Sequence, residues 1–187
     1  MSSGAHTAGS MDFGNLNWEQ GSYSPLEAYG RSKIANLFFT YELHRRLERS
    51  GCGVKALAAH PGWSRTNLQS TGLNSGEKTL RSRLMRLMAV ILSLLVGQSA
   101  HMGALPMLYA ATSPDAMCGE YYGPDGRGEA RGFPKKVSSN ELSYDKSIAK
   151  ELWEVSERLT DVKIPLNEPN HDTPKRNEVL IGQSLAS

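Results

Sequence analysis

Tyr29 and Lys33 stand four residues apart in the run Tyr29-Gly30-Arg31-Ser32-Lys33. On a helix that spacing puts both side chains on one face. The chemistry it allows is proton transfer. A phenol in water is only about one part in a thousand ionised at neutral pH, and an ammonium beside it favours the phenolate. Such a tyrosine donates a proton to an alkoxide formed by hydride transfer, or accepts one from an alcohol. The same spacing also arises on the solvent face of ordinary helices, so the pair alone is weak. Its surroundings add to it. Ser2-Ser3 lies upstream at what reads as a strand end, Pro61-Gly62 closes the next strand, and Thr66 follows that turn.

The helix that must carry the pair has a clear start. Ser24-Pro25-Leu26-Glu27 is a capping box with proline at the first helical position. Ile34, Leu37 and Tyr41, with Phe38 and Leu47 nearby, make an apolar stripe. Arg45, Arg46 and Arg49 crowd the last turn, where the helix dipole favours cations, and Gly51 or Gly53 ends it. Residues 54–59 have the length of a buried strand. A loop with Gly72, Asn74 and Gly76 leads to a basic-then-apolar helical stretch at 77–95, read as a lid over the substrate, with a membrane-surface helix or a solvated basic face over a core-facing helix as the alternatives. Residues 99–111 read as another helix, closed by Ser113-Pro114-Asp115. Residues 120–122 read as a short strand between Gly119 and Gly123, followed by a glycine-rich turn region at 123–132. Ile148, Leu152, Val155 and Leu159 predict a helix over 144–160. From residue 161 onward periodicity stops, which predicts a disordered tail at 161–187 after a single domain at 1–160. Strand and helix alternate, so the expected sheet is parallel with helical crossovers. The strands are few for such a sheet.

Composition narrows the function classes. The 187 residues are 39% hydrophobic and 21% charged, with a formal net charge of +2. That balance gives no reason to expect a nucleic-acid partner. Cys52 and Cys118 have neither metal-ligand spacing nor a disulfide framework, which points to a reducing, cytoplasmic setting. Residues 1–9 lack the pattern of a signal peptide. The longest apolar run, between Arg86 and Gln98, is too short to span a bilayer, and a membrane is not the favoured partner. His6, His101 and His171 have no metal-ligand partners at suitable spacing. His60 reads as a structural histidine, and Trp63 as a pocket or core residue.

Several segments together resemble the short-chain dehydrogenase/reductase family, and within it the branch of retinol dehydrogenases and protochlorophyllide reductases. They are Ser2-Ser3-Gly4-Ala5-His6, Ala28-Tyr29-Gly30-Arg31-Ser32-Lys33-Ile34-Ala35-Asn36-Leu37, Ala59-His60-Pro61-Gly62, Gln98-Ser99-Ala100 with Gly103-Ala104-Leu105, and Gly119-Glu120-Tyr121-Tyr122-Gly123-Pro124. The resemblance implies an α/β fold, the C-terminal portion of a doubly wound, parallel-sheet (Rossmann-like) domain. It implies a hydride-transfer oxidoreductase using NADP or NAD on a small-molecule carbonyl or alcohol. Tyr29 would be the general acid/base. Lys33 would tune it and bind the nicotinamide ribose, and Ser3 would orient the substrate carbonyl. Pro61, Gly62 and Thr66 would line the nicotinamide side of the cofactor. Many members pair as homodimers through the helix corresponding to 29–49. The family's glycine-rich loop and the helix that binds the pyrophosphate have no counterpart here. Gly123, Gly126, Gly128 and Gly132 imitate the spacing but lead into Pro134 and two lysines instead of a helix. The expectation is therefore a chain lacking the N-terminal cofactor-binding half of a longer parent, a truncated form whose own activity is in doubt. A second reading is a non-catalytic module that binds a partner through its exposed sheet.

Overall fold

A computed structural model of the chain describes residues 1–64 and 97–166. Thr66, the stretch at 77–95 and most of the expected tail lie outside the described residues.

Helix α1 spans Pro25–Ser50. The Ser24 half of its capping box forms: the Ser24 hydroxyl accepts from the Glu27 amide at 3.4 Å. Gly51 closes the helix at φ +64, in the left-handed region that glycine enters without strain. Strand β1 is Ala58–Ala59, helix α2 Ala100–Thr112, strand β2 Tyr121–Pro124, strand β3 Pro134–Val137 and helix α3 Lys146–Thr160. Short 3₁₀ turns cover Gly4–Ala8, Phe13–Asn15, Arg127–Glu129 and Glu141–Tyr144.

The sheet runs β1-β2-β3. β1 and β2 are parallel, with Ala58 opposite Tyr121, but β2 and β3 are antiparallel, with Tyr121 opposite Val137. The sheet is thus mixed, where the sequence predicts a parallel one. The glycine-rich segment turns the chain back so that β3 lies beside β2, a return needing no helical crossover. The first strand is also shorter than 54–59. Its inter-strand hydrogen bonds run only from Ala56, whose carbonyl accepts from Gly119, to His60, whose amide donates to Tyr122. At the other end of the chain, the Ser2 amide donates to the Ala59 carbonyl at 2.8 Å, so the opening residues lie against β1.

Successive strand residues face opposite ways, and the helices cover both faces. Ala58, Tyr121 and Val137 pack with Leu37 and Tyr41 of α1. Ala59 and Tyr122 pack with Ala116 and, from α2, Met107, Tyr109 and Ala110. Ile34 and Phe38 turn sideways from α1 onto Ala149 of α3. Ile34, Leu37 and Phe38 are fully buried, each contributing about 1.5–3 kcal/mol. The α1–α3 seam continues through the Arg46 guanidinium, 4.4 Å from the Trp153 ring, and Phe39 stacked on the same ring at 5.3 Å. Among the described residues no helix is long and apolar enough to cross a membrane.

Candidate functional site

Tyr29 and Lys33 lie on the first turns of α1, on the same face. Tyr29 is 36% exposed, and the Lys33 ammonium sits 5.2 Å from its ring centroid. Between them, Gly30 is buried for a packing reason. The 3₁₀ turn after Ser3 crosses α1 here, and a side chain on Gly9 would meet the Gly30 carbonyl at 2.5 Å. Two further hydrogen bonds hold the opening residues on the helix. The Ser2 hydroxyl donates to the Lys33 carbonyl at 2.9 Å, and the Asn36 amide donates to the Met1 carbonyl at 2.8 Å. The segment bearing Ser3 is thereby joined to the turns bearing Tyr29 and Lys33.

Ser2 and Ser3 have different environments. Ser2 is buried. Ser3 is half-exposed and its oxygen caps the turn, accepting from the Ala5 amide at 3.3 Å. That contact uses a lone pair and leaves the hydroxyl proton available to a substrate oxygen. The Ser3 backbone is fixed through a residue whose role the sequence does not reveal. His6 Nδ1 donates to the Ser3 carbonyl at 2.7 Å, while His6 Nε2 accepts from the Asn140 amide at 3.3 Å. His6 is buried and meets Tyr121 edge-on at 5.6 Å. Arg31, inside the motif, anchors the preceding loop. Its guanidinium donates to the Asn15 carbonyl at 2.7 Å and covers the Trp18 ring at 4.6 Å.

Pro61 and Gly62 form a braced turn just past β1. The Pro61 carbonyl accepts from Gln98 Nε2 at 2.8 Å and from the Ser64 hydroxyl at 3.0 Å. Gln98 Oε1 in turn accepts from the Gly132 amide at 3.0 Å, so one buried glutamine joins two turns. Gly62 has φ +62, and a side chain there would strike the Ala130 carbonyl at 2.6 Å. His60, 1% exposed, has both ring nitrogens engaged. Nδ1 accepts from the Gly62 amide at 3.2 Å, so Nε2 carries the proton and donates to Glu129 at 2.9 Å. Burial lowers the His60 pKa, with Glu129 opposing. His60 is thus a structural histidine holding the turn. Ser3 and Pro61 each lie within two residues of the Ser2–Ala59 hydrogen bond, at one end of the sheet. Of the expected site residues, Tyr29, Lys33, Ser3, Pro61 and Gly62 lie on three adjoining segments, and Thr66 is outside the described residues.

No family model matches the chain. It is 36% identical over 168 residues to human retinol dehydrogenase 13, covering 88% of this chain and 46% of that protein. With mouse retinol dehydrogenase 14 it shares 35% identity over 164 residues, 87% of this chain and 43% of that one. A crystal structure of an uncharacterised protein from Mycobacterium paratuberculosis superposes with a TM-score of 0.64 at 35% identity, over 88% of this chain and 50% of that one. The chain spans about half the length of the curated relatives it matches.

Proposed function

From the premise that the chain belongs to the short-chain dehydrogenase/reductase family, we propose that it carries the proton-transfer centre of an NADP- or NAD-dependent oxidoreductase acting on an alcohol or carbonyl. The observation that carries this reading is the Lys33 ammonium 5.2 Å from the ring of a solvent-reachable Tyr29.

The residues described fit one end of a dinucleotide and not the other. Tyr29 and Lys33 offer a hydroxyl and an ammonium suited to a ribose and a reacting oxygen. The glycines at 119–132 offer no cradle for a pyrophosphate where they pack. Side chains on Gly123, Gly126 and Gly132 would meet His60, the Arg131 carbonyl and Asp125 at 2.0, 2.2 and 2.0 Å. Bound NADP or NAD supplies or accepts the hydride. The chain's own residues handle the proton. As negative charge grows on the substrate oxygen, the Tyr29 hydroxyl gives up its proton to it. The Lys33 ammonium stabilises the phenolate left behind, and the Ser3 hydroxyl donates to the same oxygen and orients it. In the alcohol-oxidising direction the Tyr29 phenolate takes the proton.

In this reading the pyrophosphate site is supplied by residues other than these 187. Two measurements test it. In a protein that contains both this chain and a pyrophosphate site, Tyr29→Phe lowers turnover by at least about 100-fold, the size of a lost general acid; unchanged turnover refutes the assignment. The 187-residue chain alone, titrated with micromolar NADPH, shows no saturable quenching of its tryptophan fluorescence. Saturable quenching would mean that the chain holds a dinucleotide unaided.

A further inference from the structure

The C-terminal half of α1 carries a second cluster of reactive groups. His44 lies fifteen residues beyond Tyr29, about 22 Å along the helix axis. Its Nδ1 is 3.1 Å from the sulfur of Cys118, a residue far away in sequence. The same sulfur accepts the Ala56 amide at 3.2 Å. The other ring nitrogen, Nε2, faces Glu48 at 3.6 Å. Gly119 keeps space for the imidazole: it has φ +80, and a side chain there would lie 2.5 Å from His44 Cδ2. The Lys55 ammonium donates to the Ala116 carbonyl at 2.7 Å, two residues from the cysteine. Cys118 is half-buried, while Cys52 is exposed.

We propose that Cys118 is a reversible modification site, a thiol that exchanges with small disulfides such as glutathione disulfide, with His44 as its proton partner. Thiolates, not thiols, attack disulfides. A sulfur facing both an imidazole and a backbone N–H has two groups placed to accept its proton or donate to its charged form. The exchange balances as follows. His44 Nδ1 takes the thiol proton. The Cys118 thiolate attacks one sulfur of glutathione disulfide, the bond between the two glutathione sulfurs breaks, and a Cys118–glutathione disulfide forms. The departing glutathione thiolate takes the proton from His44. Cys118 is oxidised and one glutathione is reduced. Of the charged groups nearby, Glu48 on α1 faces the far ring nitrogen, the Lys55 ammonium is held by the Ala116 carbonyl, and Glu120 is engaged by Lys136.

Cys52 is an internal control, exposed and with no imidazole at its sulfur among the described residues. The test is the uptake of glutathione from glutathione disulfide at each cysteine of the 187-residue protein at about pH 7, resolved by peptide mass spectrometry. Cys118 should take up one glutathione, removable by dithiothreitol, at least about 10-fold faster than Cys52. His44→Asn should slow Cys118 to the rate of Cys52. Uptake at Cys118 no faster than at Cys52 in the unmodified protein overturns the proposal, and means the thiol merely donates to a neutral imidazole. Failure of Cys118 to react in the folded protein also overturns it. Because the wild-type rates decide alone, a His44 variant that does not fold leaves the test intact.

Discussion

Gly123→Ala is a sharp test of the packing that braces the Pro61-Gly62 turn. The added methyl would lie 2.0 Å from His60 Nε2, well inside contact distance. The ring has little freedom to yield, because Nδ1 is held by the Gly62 amide and Nε2 by Glu129 while the residue is 1% exposed. Two penalties follow. Overpacking a filled site costs about 1–3 kcal/mol. A buried N–H pushed off its acceptor costs about another 1–3 kcal/mol. Together they predict a loss of about 2–6 kcal/mol, a large share of the about 5–15 kcal/mol that a domain possesses. With a urea slope of about 1–3 kcal/mol per molar, the midpoint should fall by at least about 0.7 M. Gly53→Ala is the control, since nothing lies within 4 Å of its added methyl; it should be neutral or stabilise by up to about 1 kcal/mol. The double variant Gly123→Ala/His60→Ala should lose less than the sum of the two single variants, with a coupling of about 0.5–3 kcal/mol. A Gly123→Ala midpoint equal to that of wild type, or strictly additive losses, would refute the account of this contact.

Other outcomes follow from the same structure. The lowered His60 pKa means the unfolded chain binds that proton first. Stability is therefore complete above the ordinary histidine range and declines as pH falls from about 6.5, by at most about 1.4 kcal/mol per pH unit. Urea midpoints at pH 7.5 and 5.5 measure the decline, and His60→Gln should flatten it. Glu120 has its pKa lowered to about 2, chiefly by Lys136 and then by Tyr122. Lys136→Met should bring it back toward the ordinary carboxylate range, read by NMR titration of the glutamate side chain; an unmoved titration would sever the Lys136–Glu120 link. Lys33→Met, in a protein with a complete cofactor site, should reduce kcat by at least about 10-fold, the low side of a disturbed general acid. A loss of affinity alone would give Lys33 only a binding role.

The helices were legible in the sequence because their signals are local. Ser24 and Gly51 cap α1, Ser99 accepts from the Met102 amide at the start of α2, and the stripe Ile148, Leu152, Val155 turns one side of α3 toward α1. The predicted helix at 144–160 begins slightly later, because Asp145 caps α3 by accepting from the Ser147 and Ile148 amides. Strand β3 was not legible. Pro134-Lys135-Lys136-Val137 has no alternation of apolar and polar residues, and its pairing comes from the turn that returns it to β2. The Tyr29–Lys33 pair could be read from spacing on one helix. The parts that brace the site could not, since His6–Asn140 and His60–Glu129 join residues 134 and 69 positions apart. Periodicity carries no information about such pairs. His6 does sit within the opening motif, so its type was a signal even though its partner was not.

The two borders of the sheet are unlike. β3 presents Pro134, which has no amide hydrogen to offer, and the exposed Lys135 and Lys136, a combination that discourages another strand from adding there. On the opposite border Ser2 already hydrogen-bonds to Ala59 of β1. The protected border is thus the one at β3, and among the described residues the border that carries Ser3 has neither a proline nor a pair of lysines along it.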